Sequence, residues 1–181
     1  MRNDRGKGKD TVSVRNQLAM REAVRWNPKW TIKKYADHEA FLAGKCHEQI
    51  VIDKNCLLNE GINLMWSLIC GGAGTAFDEA NSYIGVGDAA SPAADPAQTG
   101  LSASSNKLYK GMDADYPTFG TDQKATWRAT FLAAEANFAW NEITVANGDS
   151  DSDVNLNRLV QSVGTKASPG VWTVSLEITL A

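Results

Sequence analysis

Val171-Trp172-Thr173-Val174-Ser175-Leu176-Glu177-Ile178-Thr179-Leu180 alternates apolar and polar residues without a break. Successive side chains of a strand point to opposite faces. Trp172, Val174, Leu176, Ile178 and Leu180 therefore share an inward face, and Thr173, Ser175, Glu177 and Thr179 an outward one. Working back from it, Leu156 to Val163 is expected to pair with this last strand. Phe138 to Val145 reads as another strand. Lys124 to Ala133 puts Trp127, Ala129 and Phe131 on one face and Thr126, Arg128 and Thr130 on the other. Ser82 to Gly87, Gln49 to Asp53 and Trp30 to Tyr35 are further strands. Alternating strands divided by polar turns predict a mainly β protein, an antiparallel β-sandwich or jelly-roll-like body.

One short α-helix interrupts this text, over about 58–70. Leu58, Ile62, Met65, Trp66 and Ile69 recur at helical spacing, which reads as a core-facing stripe. Asn59 is placed to cap its start and Gly71-Gly72 to end it. Residues 88 to 106 are rich in Ala, Ser, Pro, Asp and Gln and form a long loop, of the kind that serves function or an interface. Residues 147 to 153, Asn-Gly-Asp-Ser-Asp-Ser-Asp, form an acidic turn.

Charge divides the 181-residue chain. Residues 1 to 35 hold ten Lys or Arg and three acids, a net of +7, and residues 36 to 181 hold eight against eighteen, a net of −10. We divide the chain into a basic, extended N-terminal arm (1–34) and a β-sandwich body (35–181). Within the arm, residues 16 to 25 can form a short helix, which Pro28 stops. A basic arm on an acidic body is suited to binding another copy or another protein. The expected partner interface is Arg15, Arg21, Arg25, Trp26, Trp30, Lys33 and Lys34, with the two tryptophans as anchors. The alternative is that these aromatics fold back on the chain's own body. Nucleic acid is not the expected partner, although basic arms can neutralise phosphates. No run of about 20 apolar residues spans a membrane. The first ten residues lack the apolar core of a secretory signal, so synthesis in a cytoplasm is expected.

Candidate chemistry is sparse. Gly71-Gly72-Ala73-Gly74-Thr75 follows a helix and lacks the Lys-Ser or Lys-Thr of a phosphate loop. Ile84-Gly85-Val86-Gly87-Asp88 has no following helix to bind a dinucleotide. Asp149, Asp151 and Asp153 match the first ligands of a calcium loop, but Val154 and Val160 stand where its Gly and Glu belong. His38 and His47 have no evident nucleophile. Glu135 and Glu142 form an acid pair without support for glycoside cleavage. Arg128 and Glu142 are expected to meet across a sheet as a structural pair. Cys46, Cys56 and Cys70 are odd in number and lack metal-site spacing, which reads as free thiols. No catalytic residue, cofactor or metal is expected, and the chain reads as a non-enzyme.

Several stretches together resemble a known group. They are Leu57-Leu58-Asn59-Glu60-Gly61-Ile62-Asn63; Tyr83-Ile84-Gly85-Val86-Gly87-Asp88; Gln98-Thr99-Gly100-Leu101; and Trp127-Arg128-Ala129-Thr130-Phe131. Glu135-Ala136-Asn137-Phe138, Trp140-Asn141-Glu142, Asn157-Arg158, Gly164-Thr165-Lys166 and Trp172-Thr173-Val174 follow in order. This succession, over about residues 35 to 181, resembles small virion structural proteins of tailed bacteriophages. The resemblance implies a β-sandwich and an assembly role, and carries over no catalytic residue. The expectation is a capsid decoration or cement protein that stabilises the shell by subunit–subunit contacts, located in the virion after assembly in the host cytoplasm. Its partners would be the major capsid protein or other virion proteins, and copies of itself. A tail, neck or baseplate component is the alternative within that class. A receptor- or glycan-binding module, with Tyr109, Tyr116 and Phe119 stacking on sugar rings, is the alternative from another.

Overall fold

A computed structural model describes residues 25 to 180. β1 (Trp26–Tyr35) and β10 (Val171–Leu180) run antiparallel over their full lengths, from Trp26 opposite Leu180 to Tyr35 opposite Val171. β2 (Glu48–Ile52) extends this sheet beyond β1; β7 (Lys124–Phe131) and β6 (Thr118–Thr121) extend it beyond β10, in the order β2-β1-β10-β7-β6. The second sheet has the order β3-β9-β8-β4-β5 and is built from β3 (Cys56–Leu57), β9 (Asn157–Thr165), β8 (Ala139–Ala146), β4 (Tyr83–Gly87) and β5 (Lys107–Gly111). All the pairings are antiparallel.

The two sheets pack face to face on one apolar core. Trp30, Ile32, Ala129, Phe131, Val174 and Leu176 come from the first sheet, and Ile84, Val86, Trp140, Ile143 and Leu159 from the second. Phe131, Trp140 and Trp172 stack edge to face, with ring centres 4.7 and 4.8 Å apart, a geometry that suits the quadrupoles of aromatic rings. The inward face of β10 forms as read, except that Leu180 is 39 % exposed at the strand's end; on the outward face Ser175, Glu177 and Thr179 are half-buried and Thr173 is buried.

Several expectations need correction. The body begins by Trp26, not at residue 35, because β1 is a ten-residue strand inside the first sheet. The expected arm is thus confined to residues 1–24, which lie outside the described residues, as does the helix expected over residues 16–25. β9 pairs with β8 and β3, not with β10; the turn after β8 closes a local β8–β9 hairpin, and both edges of β10 are already taken. A second helix, α1 (His38–Leu42), is capped by Asp37, whose carboxylate accepts from the Ala40 N–H at 2.8 Å. Arg128 and Glu142 belong to different sheets, so they do not meet. Arg128 pairs with Asp113 at 3.0 Å.

The main helix, α2 (Asn59–Ile69), forms as expected but faces differently. Leu58 is its N-cap, and the Asn59 side chain makes no cap; the Asn59 N–H instead donates to the Pro96 carbonyl at 2.8 Å. The helix buries Gly61 and Leu64. A Cβ at Gly61 would stand 2.6 Å from the Leu156 Cα. The missing side chain lets α2 lie directly on the chain entering β9. That contact turns only part of the expected stripe outward: Leu58 is buried and Met65 packs against the core, but Trp66 is 62 % and Ile69 70 % exposed.

Candidate functional site

The first surface follows from that rotation. Ile62, Met65, Trp66 and Ile69 of α2, Leu57 of β3, and Trp26 and Leu180 at the paired ends of β1 and β10 line an apolar groove of about 320 Å³. A smaller depression of about 190 Å³ continues it, sharing Trp26, Met65 and Leu180 and running toward Phe77 and Trp127. Exposed Trp and Ile at helical spacing beside such a groove are what a partner contact uses.

The second surface is the outer face of the first sheet. Alternation sends Lys29, Thr31 and Lys33 of β1, Thr173, Ser175 and Glu177 of β10, and Thr126 and Arg128 of β7 to this side. Phe41 and Leu42 of α1, with Tyr116, wall it into a polar concavity of about 570 Å³. The Arg128 guanidinium lies 5.5 Å from the centre of the Tyr116 ring.

The third feature is the loop over residues 88–106, which is anchored from beneath. Glu142 and Arg158 are both fully buried and pair at 2.6 Å. The Glu142 carboxylate also accepts the Ser102 and Ala103 N–H groups at 2.9 and 2.8 Å. Arg158 donates to the Pro92 carbonyl at 3.1 Å and to Gln98 Oε1 at 2.7 Å. Every charge in the cluster is met by a partner, as burial requires. The loop is thereby pinned to β8 and β9, and its own Leu101 and Ala103 are buried.

The other titratable groups singled out by the sequence are also engaged. Burial tends to raise the Glu135 carboxyl, but Lys110, 2.6 Å away, and the Leu132 N–H hold it below its ordinary value. Lys166 is buried and donates to the carbonyls of Leu132 and Glu135 at 2.7 and 2.8 Å, and burial lowers its ammonium. In the acidic turn, Asp151 pairs with Lys107 and accepts the Tyr109 hydroxyl at 2.6 Å. Burial, and then this bond, raise the Tyr109 phenol well above its ordinary value. Asp153 accepts the Ser150 N–H and hydroxyl at 3.1 and 2.8 Å. Among the described residues no group of three His, Cys, Asp or Glu gathers to hold a metal ion.

The residues expected at the partner interface separate. Trp26 lines the apolar groove, and Lys33 lines the polar concavity with Lys29. Arg25 is exposed. Trp30 is fully buried in the core and cannot anchor a partner, since its position in β1 faces inward. Lys34 is also buried, 3.0 Å from Glu48 and 4.5 Å from the centre of the Trp172 ring. Arg15 and Arg21 lie outside the described residues. Periodicity alone assigns Trp66 and Ile69 to the core; Gly61, beside that stripe rather than in it, is the sign that the helix packs on another side. Of the aromatics considered for sugar stacking, Tyr116 lines the concavity, Tyr109 is tied to Asp151, and Phe119 is 75 % exposed on the edge strand β6. Compared with protein-family models, with curated proteins and with solved structures, the chain has no match.

Proposed function

We propose that the chain is a structural protein of a tailed-phage virion, a decoration or cement protein that adds subunit contacts to the capsid. The observation that carries the reading is the apolar groove beside Trp66 and Ile69. It lies at the end of the sandwich where the basic residues 1–24 join β1. An exposed Trp–Ile stripe is unfavourable in a free monomer and favourable in a contact. A rigid β body with its loop latched from below suits a part held in place by neighbours. The ordered motifs from Leu57 to Val174 supply the virion context, because they resemble small phage head and tail proteins.

The test compares the full chain with a version lacking residues 1–24, which leaves β1 whole, and with Trp66→Glu. Each is added to particles stripped of the protein. The reading expects the full chain to decorate them and both changes to reduce occupancy. Full decoration by both altered proteins would overturn it. A tail, neck or baseplate position uses the same surface, and copy number per particle separates it from the shell.

A second reading, glycan or receptor binding, is favoured by the concavity that holds Tyr116, Lys29, Lys33 and Arg128. An aromatic beside several donors suits a sugar. Binding of the isolated protein to host polysaccharide, lost in Tyr116→Ala, supports this reading; no binding at high protein concentration refutes it.

A further inference from the structure

We propose that the groove beside α2 is the docking site for residues 12–24 of a second copy of this chain. The inference rests on reading the chain as an assembly protein and names the partner of that surface. Residues 12–24 run directly into Trp26, which lines both parts of the groove. In this segment Val12, Val14, Leu18, Met20 and Val24 occupy even positions, and Ser13, Arg15, Gln17 and Arg21 odd ones. An extended chain with that pattern offers a mainly apolar face, which Asn16 and Glu22 interrupt. Such a face matches a groove whose polar lining is negligible.

The segment is long enough to reach a neighbour. The pairing of β1 with β10 ends at Trp26 opposite Leu180. Thirteen extended residues reach about 43 Å, enough to cross to an adjoining subunit. Charge acts in the same sense. Residues 1–24 hold six Lys or Arg against three acids, and the body from Trp26 carries a net of −7, so the segment of one copy is attracted to the body of the next.

The test measures the mass of the full chain by sedimentation across protein and salt concentration. Two double variants accompany it: Trp66→Glu with Ile69→Glu in the groove, and Leu18→Asp with Met20→Asp in the segment. Trp66 and Ile69 are exposed, and melting curves verify that each variant folds. The wild type self-associates, with a part of the association resistant to salt. Each variant alone associates at least about tenfold more weakly, the scale of losing central apolar anchors. Mixing the two restores a heterodimer, because the intact segment of one meets the intact groove of the other. A wild type that stays monomeric, association untouched by both variants, or a mixture that fails to recover overturns the inference. The same proteins tested on stripped particles keep the two proposals apart. A monomer that decorates particles sinks the docking and leaves the virion reading. A self-associating chain that ignores particles does the reverse.

Discussion

Replacing Arg158 by Ala removes one half of a pair in which both side chains are fully buried. Glu142 would keep the Ser102 and Ala103 N–H groups but lose both guanidinium bonds, at 2.9 and 2.6 Å. The Pro92 carbonyl would also lose its Arg158 donor, and Gln98 Oε1 would keep only the Asp95 N–H. Breaking a buried pair from one side leaves an uncompensated charge and costs about 3–5 kcal/mol. That is a large part of the roughly 5–15 kcal/mol that holds a domain of this size together. With a urea slope of about 2 kcal/mol/M, the unfolding midpoint falls by about 2 M. Tryptophan fluorescence in urea measures it, and hydrogen exchange at Ser102 and Ala103 shows whether the loop is released. The double change Glu142→Leu with Arg158→Met removes both charges, and should cost less than Arg158→Ala alone. A loss under about 1 kcal/mol for Arg158→Ala, or a double variant as unstable as the sum of its singles, would refute the latch.

Four further outcomes are expected. Trp30→Ala should lose roughly 3–5 kcal/mol of stability by emptying the core, while Trp66→Ser should change folding stability by no more than about 0.5 kcal/mol; thermal melts compare them. Gly61→Ala should lower the melting temperature, because overpacking against the Leu156 backbone, roughly 1–3 kcal/mol, outweighs the gain of up to about 1 kcal/mol that Ala brings to a helix. Glu135 is held below its ordinary value of 4.5, so its contribution is present above that pH and lost as pH falls through the lower folded value. Glu135→Gln should therefore flatten the acid side of the stability curve as pH falls below the ordinary carboxylate value. Thiol labelling should modify the exposed Cys46 and Cys70 promptly and Cys56 slowly, since burial and the nearby Asp95 raise its thiol.

Periodicity carried most of the fold. β10 and β7 read correctly because each has one wet and one dry face, so their alternation is visible. Sheet order was harder. The pairing of β9 with β8 depends on the hairpin closed by residues 147–155, where Asn147 bridges Val154 and Thr75, and side-chain bonds of that kind leave no periodic trace. Charge alone extends the arm to residue 34, because Lys29, Lys33 and Lys34 dominate that text, whereas Trp30 and Ile32 between them set a strand. Strand alternation hides half of each such segment from solvent whatever its charge. The groove was missed for a related reason. An apolar stripe reports that a helix has an apolar face, not what covers it, and the contact that decided the matter is the close approach of Gly61 to the β9 entry. The Glu142–Arg158 latch joins residues on neighbouring strands to a loop about 40 positions earlier, a distance no local pattern spans.

Quantitative mass spectrometry of purified particles of a phage that encodes the chain tests the central claim most directly. The account predicts the chain in every particle, on the order of hundreds of copies for a symmetric shell position. Its absence from purified particles, with the chain found free in the lysate, would contradict the account.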